Sequence, residues 1–134
     1  MKLKIAILPG DGIGPEVTNE SIKVLNCIAK KFNHDIEMNT GLVGAIAIDQ
    51  YNDPYPDETH KLCSESDAIL FGAIGDPKYD NDPKAKIRPE QGLLKLRKKL
   101  GLYANLRPTK VFDSLLEMSP IKEDRIAGTD ILFV

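Results

Sequence analysis

Residues 4–16 read KIAILPGDGIGPE, and this stretch predicts a strand, a tight turn and a helix in direct succession. The run Leu3–Leu8 is rich in Ile, Leu and Ala, which is typical of a buried parallel strand. The three glycines that follow permit a tight turn, and Pro15 suits the first turn of a helix. We therefore expect a parallel α/β arrangement to begin here.

The same alternation continues along the chain. After the first helix, apolar or alternating runs predict further strands at Asp35–Thr40, Ala68–Phe71 and Thr129–Val134, and Leu102–Val111 looks extended. Helices are predicted near Ala45–Ile48, from Pro56 to about Ser66, and from Pro89 onward, whereas residues 73–88 read as a long loop. The prediction is a parallel-rich α/β sheet flanked by helices.

Composition and charge argue against several classes of protein. The chain has 134 residues, 28% of them charged, and a net charge of -2, so it lacks the basic footprint of a nucleic-acid binder. No apolar run is long enough to span a bilayer, and the first residues do not resemble a signal peptide. Cys27 and Cys63 have no nearby ligand partners, and buried free thiols in a reducing cytoplasm are the expectation. We expect a cytoplasmic protein that binds neither membrane nor nucleic acid.

The glycine turn invites comparison with the dinucleotide fingerprint, but the spacing differs. Gly10, Gly12 and Gly14 give G-x-G-x-G rather than G-x-G-x-x-G, and no clear acidic residue closes the second strand. Either a purely structural turn or a loop beside a cofactor fits this pattern, and a Rossmann domain does not.

The helix predicted after Pro89 has an unusual face. Glu90, Leu93, Leu94 and Arg97 follow the i, i+3, i+4, i+7 spacing that places them on one side. One interpretation is an amphipathic surface helix with its leucines towards the core. The other is a binding face for a small branched carboxylate, to which Arg107 would add a second guanidinium group.

Three segments carry a resemblance to a known family: LPGDGIGPE at 8–16, LFGAIGDPKYD at 70–80 and RPEQGLLKLRKKLGLYANLRP at 88–108. Together they resemble the beta-decarboxylating dehydrogenases, which include isopropylmalate, isocitrate and tartrate dehydrogenases. The resemblance implies that family's own fold, NAD as cofactor, a magnesium or manganese ion, and a homodimer when the protein is full length.

The resemblance also implies roles for individual residues. It places residues 1–102 in the cofactor-side lobe and 103–134 at the start of a second lobe for substrate and dimerisation, with neither lobe complete. The catalytic Tyr and Lys and the metal ligands are expected beyond Val134, so we expect the 134 residues alone to be inactive. The implied substrate-binding residues are Glu90, Leu93, Leu94, Arg97 and Arg107. The implied cofactor-binding residues are Ile13, Gly75, Asp76, Pro77, Lys78, Tyr79, Asp80, Pro89 and Glu90.

The preferred activity is NAD-dependent oxidative decarboxylation of 3-isopropylmalate to 2-oxoisocaproate, a step of leucine biosynthesis. The Glu90 carboxylate would repel a substrate with a third carboxylate, such as isocitrate. The sequence departs from many relatives where Asp76 and Tyr79 stand in place of Gly and Trp. The alternatives are a homoisocitrate, tartrate or isocitrate dehydrogenase, or a non-catalytic module that binds an anion.

Overall fold

The computed structural model describes residues 1–80 and 86–134, with Asp80 described only as the last residue of its helix. The predicted loop at 73–88 therefore falls partly outside the described residues, at 81–85. In chain order the elements are β1 (Lys2–Gly10), α1 (Gly14–Phe32), β2 (Asp35–Thr40), α2 (Ala45–Tyr51), α3 (Asp57–Ser64), β3 (Ala68–Ala73), α4 (Pro77–Asp80), α5 (Glu90–Lys99), β4 (Arg107–Lys110), a 3₁₀ helix (Asp113–Met118), α6 (Glu123–Ile126) and β5 (Asp130–Phe133).

Two compact units make up the chain, Met1–Gly101 and Leu102–Val134. The first unit contains a parallel three-stranded sheet in the order β2-β1-β3. The predicted parallel α/β fold is thereby confirmed. The assignment of the two units to the lobes of a larger enzyme stays a prediction.

The central strand β1 is buried along most of its length. Ile5, Ala6, Ile7 and Leu8 are all buried, because neighbouring strands cover both edges and helices cover the faces. The core beside this strand is completed by side chains that come from the α2, α3 and α5 regions: Val43, Tyr55, Cys63 and Leu96. Cys63 is buried as predicted, but Cys27 is exposed on α1, so the expectation of two buried thiols is wrong for Cys27.

The second unit consists of an antiparallel pair and two short helical segments. Arg107 pairs with Phe133 and Lys110 with Asp130. The extended run predicted at 102–111 is thus a strand only at Arg107–Lys110, and the last predicted strand forms this pair. No helix in the described residues is both long and apolar enough to cross a membrane.

Helix α5 contacts the segment between α2 and α3 so closely that one position has no room for a side chain. A Cβ added at Gly92 would lie 2.5 Å from the carbonyl oxygen of Pro54 and 3.2 Å from the Cβ of Pro54. Two ion pairs flank this contact, Lys95–Asp53 at 2.5 Å and Lys99–Asp57 at 2.6 Å. The contact fixes which side of α5 faces the core.

We predict that Gly92→Ala destabilises the protein by about 1–3 kcal/mol, because the added methyl group overpacks the contact with Pro54. In an exposed helix the same substitution would raise the free energy of unfolding by about 1 kcal/mol. The sign of the measured change therefore shows whether the contact with Pro54 is present. Urea unfolding measures the difference. Lys98→Ala, at an exposed position of the same helix, is the control and should change stability by less than about 0.5 kcal/mol. A gain in stability for Gly92→Ala would contradict the prediction.

Candidate functional site

The site lies at the carboxyl ends of β1 and β3, which are adjacent in the sheet. Their last residues, Gly10 and Ala73, are register partners, and the backbone N–H of Asp11 donates to the carbonyl oxygen of Ala73 at 2.7 Å. Loops that follow neighbouring parallel strands meet at one edge of a sheet, which is where α/β proteins usually bind ligands.

The turn after β1 requires glycine at its first position. Gly10 has φ +73°, and a Cβ there would collide with the carbonyl oxygen of Ala73. The glycines of this turn therefore let two backbones approach closely. The sequence predicts this close approach whether the turn is purely structural or lies beside a cofactor.

Asp11 occupies the centre of the site. Its side chain is only 6% exposed. Oδ2 accepts hydrogen bonds from the backbone N–H groups of Ala45 at 2.7 Å and Gly75 at 3.3 Å, and Oδ1 accepts one from Ile46 at 3.0 Å. The carboxylate thus caps the N-terminus of α2 and holds the loop after β3.

Three predicted site segments are neighbours in this part of the first unit. A Cβ built at Gly12 would lie 3.5 Å from the carbonyl oxygen of Gly75, and one built at Gly75 would lie 3.7 Å from Oε1 of Glu90. The loop after β3 therefore lies against both the glycine turn and the start of α5. Ile13, at the edge of the turn, is 59% exposed and offers an apolar surface there.

A second carboxylate, Asp49 on α2, holds the short helix α4. It accepts hydrogen bonds from Nζ of Lys78 at 2.5 Å and from the hydroxyl group of Tyr79 at 3.1 Å. The hydrogen bond from Lys78 lowers the pKa of Asp49, and Asp49 in turn raises the pKa of Lys78. Arg88 donates from Nη1 to the carbonyl oxygen of Tyr79 at 3.0 Å, so α4 is attached on two sides.

Beside α4 the structure has an open cleft of about 640 Å³. It lies between α2 and the residues that precede α5. Its described lining combines two cations, one carboxylate and several uncharged groups: Ile48, Asp49, Asn52, Lys78, Tyr79, Lys86 and Ile87.

The residues of α5 differ in their exposure to solvent, including those predicted to bind substrate. Leu96, at 3% exposure, and Gly92 face the core, whereas Leu94 is 62% exposed. Glu90 is exposed, and Leu93 and Arg97 are half-buried. Arg107 begins β4 in the second unit, where it is exposed. The joint role of these five residues in substrate binding stays a prediction.

No group of three His, Cys, Asp or Glu side chains in residues 1–80 and 86–134 is arranged to hold a metal ion. Gly12, Ile13 and Glu90 are exposed and Gly75 is half-buried where the glycine turn meets the loop after β3. Their part in cofactor binding stays a prediction.

Comparison with known proteins identifies the family of the chain. Residues 4–134 match the family described as isocitrate/isopropylmalate dehydrogenase. The chain belongs to this family.

Similar proteins extend the match over the whole chain. The 3-isopropylmalate dehydrogenases of Aquifex aeolicus and Bacillus subtilis are 53% and 52% identical over 99% and 100% of this chain. The chain spans 36% of the length of each. The enzyme with the same name from Bacteroides fragilis is 49% identical, with 38% of its length covered.

Solved structures agree. A beta-decarboxylating dehydrogenase from Thermococcus kodakarensis superposes with a TM-score of 0.66 at 30% identity, covering 97% of this chain and 32% of that one. A protein from Thermus thermophilus gives a TM-score of 0.73 at 26% identity, covering 96% of this chain and 23% of that one. The predicted family fold is confirmed.

Two site residues of this family member escaped the sequence analysis. The glycines around Asp11 drew attention to the turn, but no local signal shows that its carboxylate caps a helix beginning 34 residues later. Asp49 lies in a short helix with no motif, and its partners are about thirty residues away. Nothing in the local sequence points to it.

We predict that the attachment of α4 depends on the ionised form of Asp49. Since the pKa of Asp49 is lowered below its ordinary 3.8, the attachment is fully present above that value and is lost as pH falls through the lowered pKa. NMR shifts of the Tyr79 ring should follow this transition. Asp49→Asn should abolish it and speed amide exchange in α4 at neutral pH.

Asp57→Asn is the matched control, because Asp57 accepts a similar hydrogen bond from Lys99 on another helix and its pKa is lowered in the same way. Exchange in α4 should stay unchanged in this variant. Equal exchange rates in Asp49→Asn and the unmodified protein would show that Asp49 does not hold α4.

Proposed function

We propose that the whole protein is an NAD-dependent 3-isopropylmalate dehydrogenase, that it uses magnesium or manganese, and that it acts in leucine biosynthesis in the cytoplasm as a homodimer. The observation that carries the proposal is the position of Glu90 beside Gly75, on a helix whose next turn exposes Leu94. The names of the similar enzymes support the same activity.

The reaction oxidises the 2-hydroxyl carbon of the substrate and then removes a carboxyl group. A hydride leaves this carbon for NAD⁺, the hydroxyl group loses its proton, and the ketone formed allows carbon dioxide to leave. A proton then replaces the lost carboxyl group. A divalent ion, when bound, polarises the hydroxyl and carbonyl oxygen. No group of three His, Cys, Asp or Glu side chains among the described residues fits that ion.

The residues of this chain bind and orient the reactants. The Arg97 guanidinium group can hold a substrate carboxylate through two parallel N–H donors, and Arg107 supplies the same chemistry by resemblance. Leu93 and Leu94 would cover the isopropyl branch, each contributing on the order of 1 kcal/mol. The Ile13 side chain and the backbone of residues 75–79 would lie along the nicotinamide end of the cofactor.

Glu90 sets the choice of substrate in this proposal. Its carboxylate lies beside Gly75, and Leu94 is one turn further along the same helix, where the branch of the substrate would bind. A branch that carries a negative charge would meet a like charge there, whereas an isopropyl branch would not.

The proposal is tested on the full-length protein by following NADH formation with a panel of 2-hydroxy acids. We expect turnover with 3-isopropylmalate and a much lower kcat/KM for isocitrate, homoisocitrate and tartrate. A preference for one of these three would replace the proposed substrate. Binding of dicarboxylates without any NADH would favour the non-catalytic module instead.

We further predict that Glu90→Gln raises the ratio of kcat/KM for isocitrate to that for isopropylmalate by about tenfold, since removing one like charge is worth roughly 1.4 kcal/mol or more. Steady-state kinetics with both substrates measures it. Glu65→Gln, at an exposed position after α3, is the control and should leave the ratio unchanged. An unchanged ratio in Glu90→Gln would remove Glu90 from substrate selection.

A further inference from the structure

One buried carboxylate connects the three segments that meet at the site. Asp11 follows β1 in the glycine turn, its oxygens accept from the first two N–H groups of α2, and the same Oδ2 accepts from Gly75 in the loop after β3. We propose that Asp11 is a positioning residue for the cofactor: it holds the loop at Gly75 against the glycine turn in the conformation that binds NAD. This inference rests on the proposed function.

The chemistry of the three partners suits a carboxylate. All three are N–H donors, and a carboxylate has two oxygens that only accept. An asparagine would place an NH₂ group against at least one of these donors. Burial of the charge is unfavourable by itself, and hydrogen bonds to a charged acceptor, which are stronger than those to a neutral one, offset it.

The space for this carboxylate is created by Gly44. This residue precedes α2 with φ +85°, and a Cβ there would collide with the carboxylate of Asp11. Helix α2 therefore has no capping side chain of its own, and Asp11 supplies the cap from 34 residues earlier in the chain.

Asp11 reaches the cofactor loop by two routes. The direct route is the hydrogen bond to Gly75. The second passes through α2, because Asp49, one turn after the capped N-terminus, holds Lys78 and Tyr79. Both ends of residues 75–79 are thus linked to Asp11, the first directly and the second through α2. A positioning role in cofactor binding follows, without contact between Asp11 and the reacting atoms.

The experiment compares Asp11→Asn with the unmodified full-length protein. We expect the KM for NAD to rise about tenfold or more, as for the loss of a hydrogen bond to a charged group. The kcat should stay within about threefold, since the chemistry is done elsewhere. Faster hydrogen exchange at the Gly75 amide should accompany the change.

Asp67→Asn is the matched control. The Oδ2 of Asp67 also accepts from a backbone N–H, that of Lys4 at 2.8 Å, but at the opposite end of β1. A purely structural role for Asp11 would lower the apparent kcat in proportion to lost folded protein and leave the KM for NAD unchanged, as Asp67→Asn would. If Asp11→Asn does not fold, Asp11→Ser retains one acceptor for α2 and should still free the Gly75 amide and raise the KM for NAD.

The outcomes separate the two proposals. An unmodified protein that neither binds NAD nor forms NADH overturns the proposed function, and this inference with it. An active unmodified protein combined with an unchanged KM for NAD in Asp11→Asn or Asp11→Ser overturns this inference alone.

Discussion

The close approach of two backbones at the ends of β1 and β3 is the constraint on which the site depends. Gly10 lies against Ala73 at a distance that leaves no room for a Cβ, and a Cβ at Gly14 would also collide with the neighbouring backbone. Asp11 lies between Gly10 and Gly14 in the sequence. Because the turn is this tight, Asp11 lies directly beside the end of β3. Larger residues would push the turn away from β3 and carry the carboxylate with it.

The short helix α2 shows how that constraint extends outward. It has seven residues, and a helix of this length is not stable by itself in water. Its first two N–H groups are satisfied by Asp11, and its own residues Ala45 and Ala47 are buried. The loop after β3 is attached to this helix through Asp49, so its order derives from contacts made far away in sequence.

The sequence predicts those elements whose signal is local. The apolar run at β1, the alternation at β2 and the proline before α3 each correspond to the observed element within a few residues. The elements that the sequence does not predict depend on contacts between residues that are far apart in the chain. The 3₁₀ helix at Asp113–Met118 has no local periodicity, and the antiparallel pairing of β4 with β5 depends on register between distant residues.

Helix α1 shows the same limit at the level of packing. Its large apolar residues Val24, Ile28 and Phe32 share a side, yet they are exposed, and Thr18 is buried in their place. A Cβ at Gly72 would lie 2.6 Å from Oγ1 of Thr18, so the helix rests closely on β3 through a small residue. Hydrophobic periodicity identifies the helix, but the tightness of the contact selects which face is buried.

The packing of α5 bears on its two interpretations in the same way. If the leucines simply served the core, Leu93 and Leu94 would be buried with Leu96. Instead Gly92 and Leu96, one turn apart, fill the contact with the α2–α3 segment, and the Lys95 and Lys99 ion pairs hold the helix in that rotation. Leu94 is turned away from the core by this arrangement. A single exposed leucine is common in proteins. Here it shares a helix with Glu90, which lies beside Gly75, and that shared position is what supports the proposed binding role of the face.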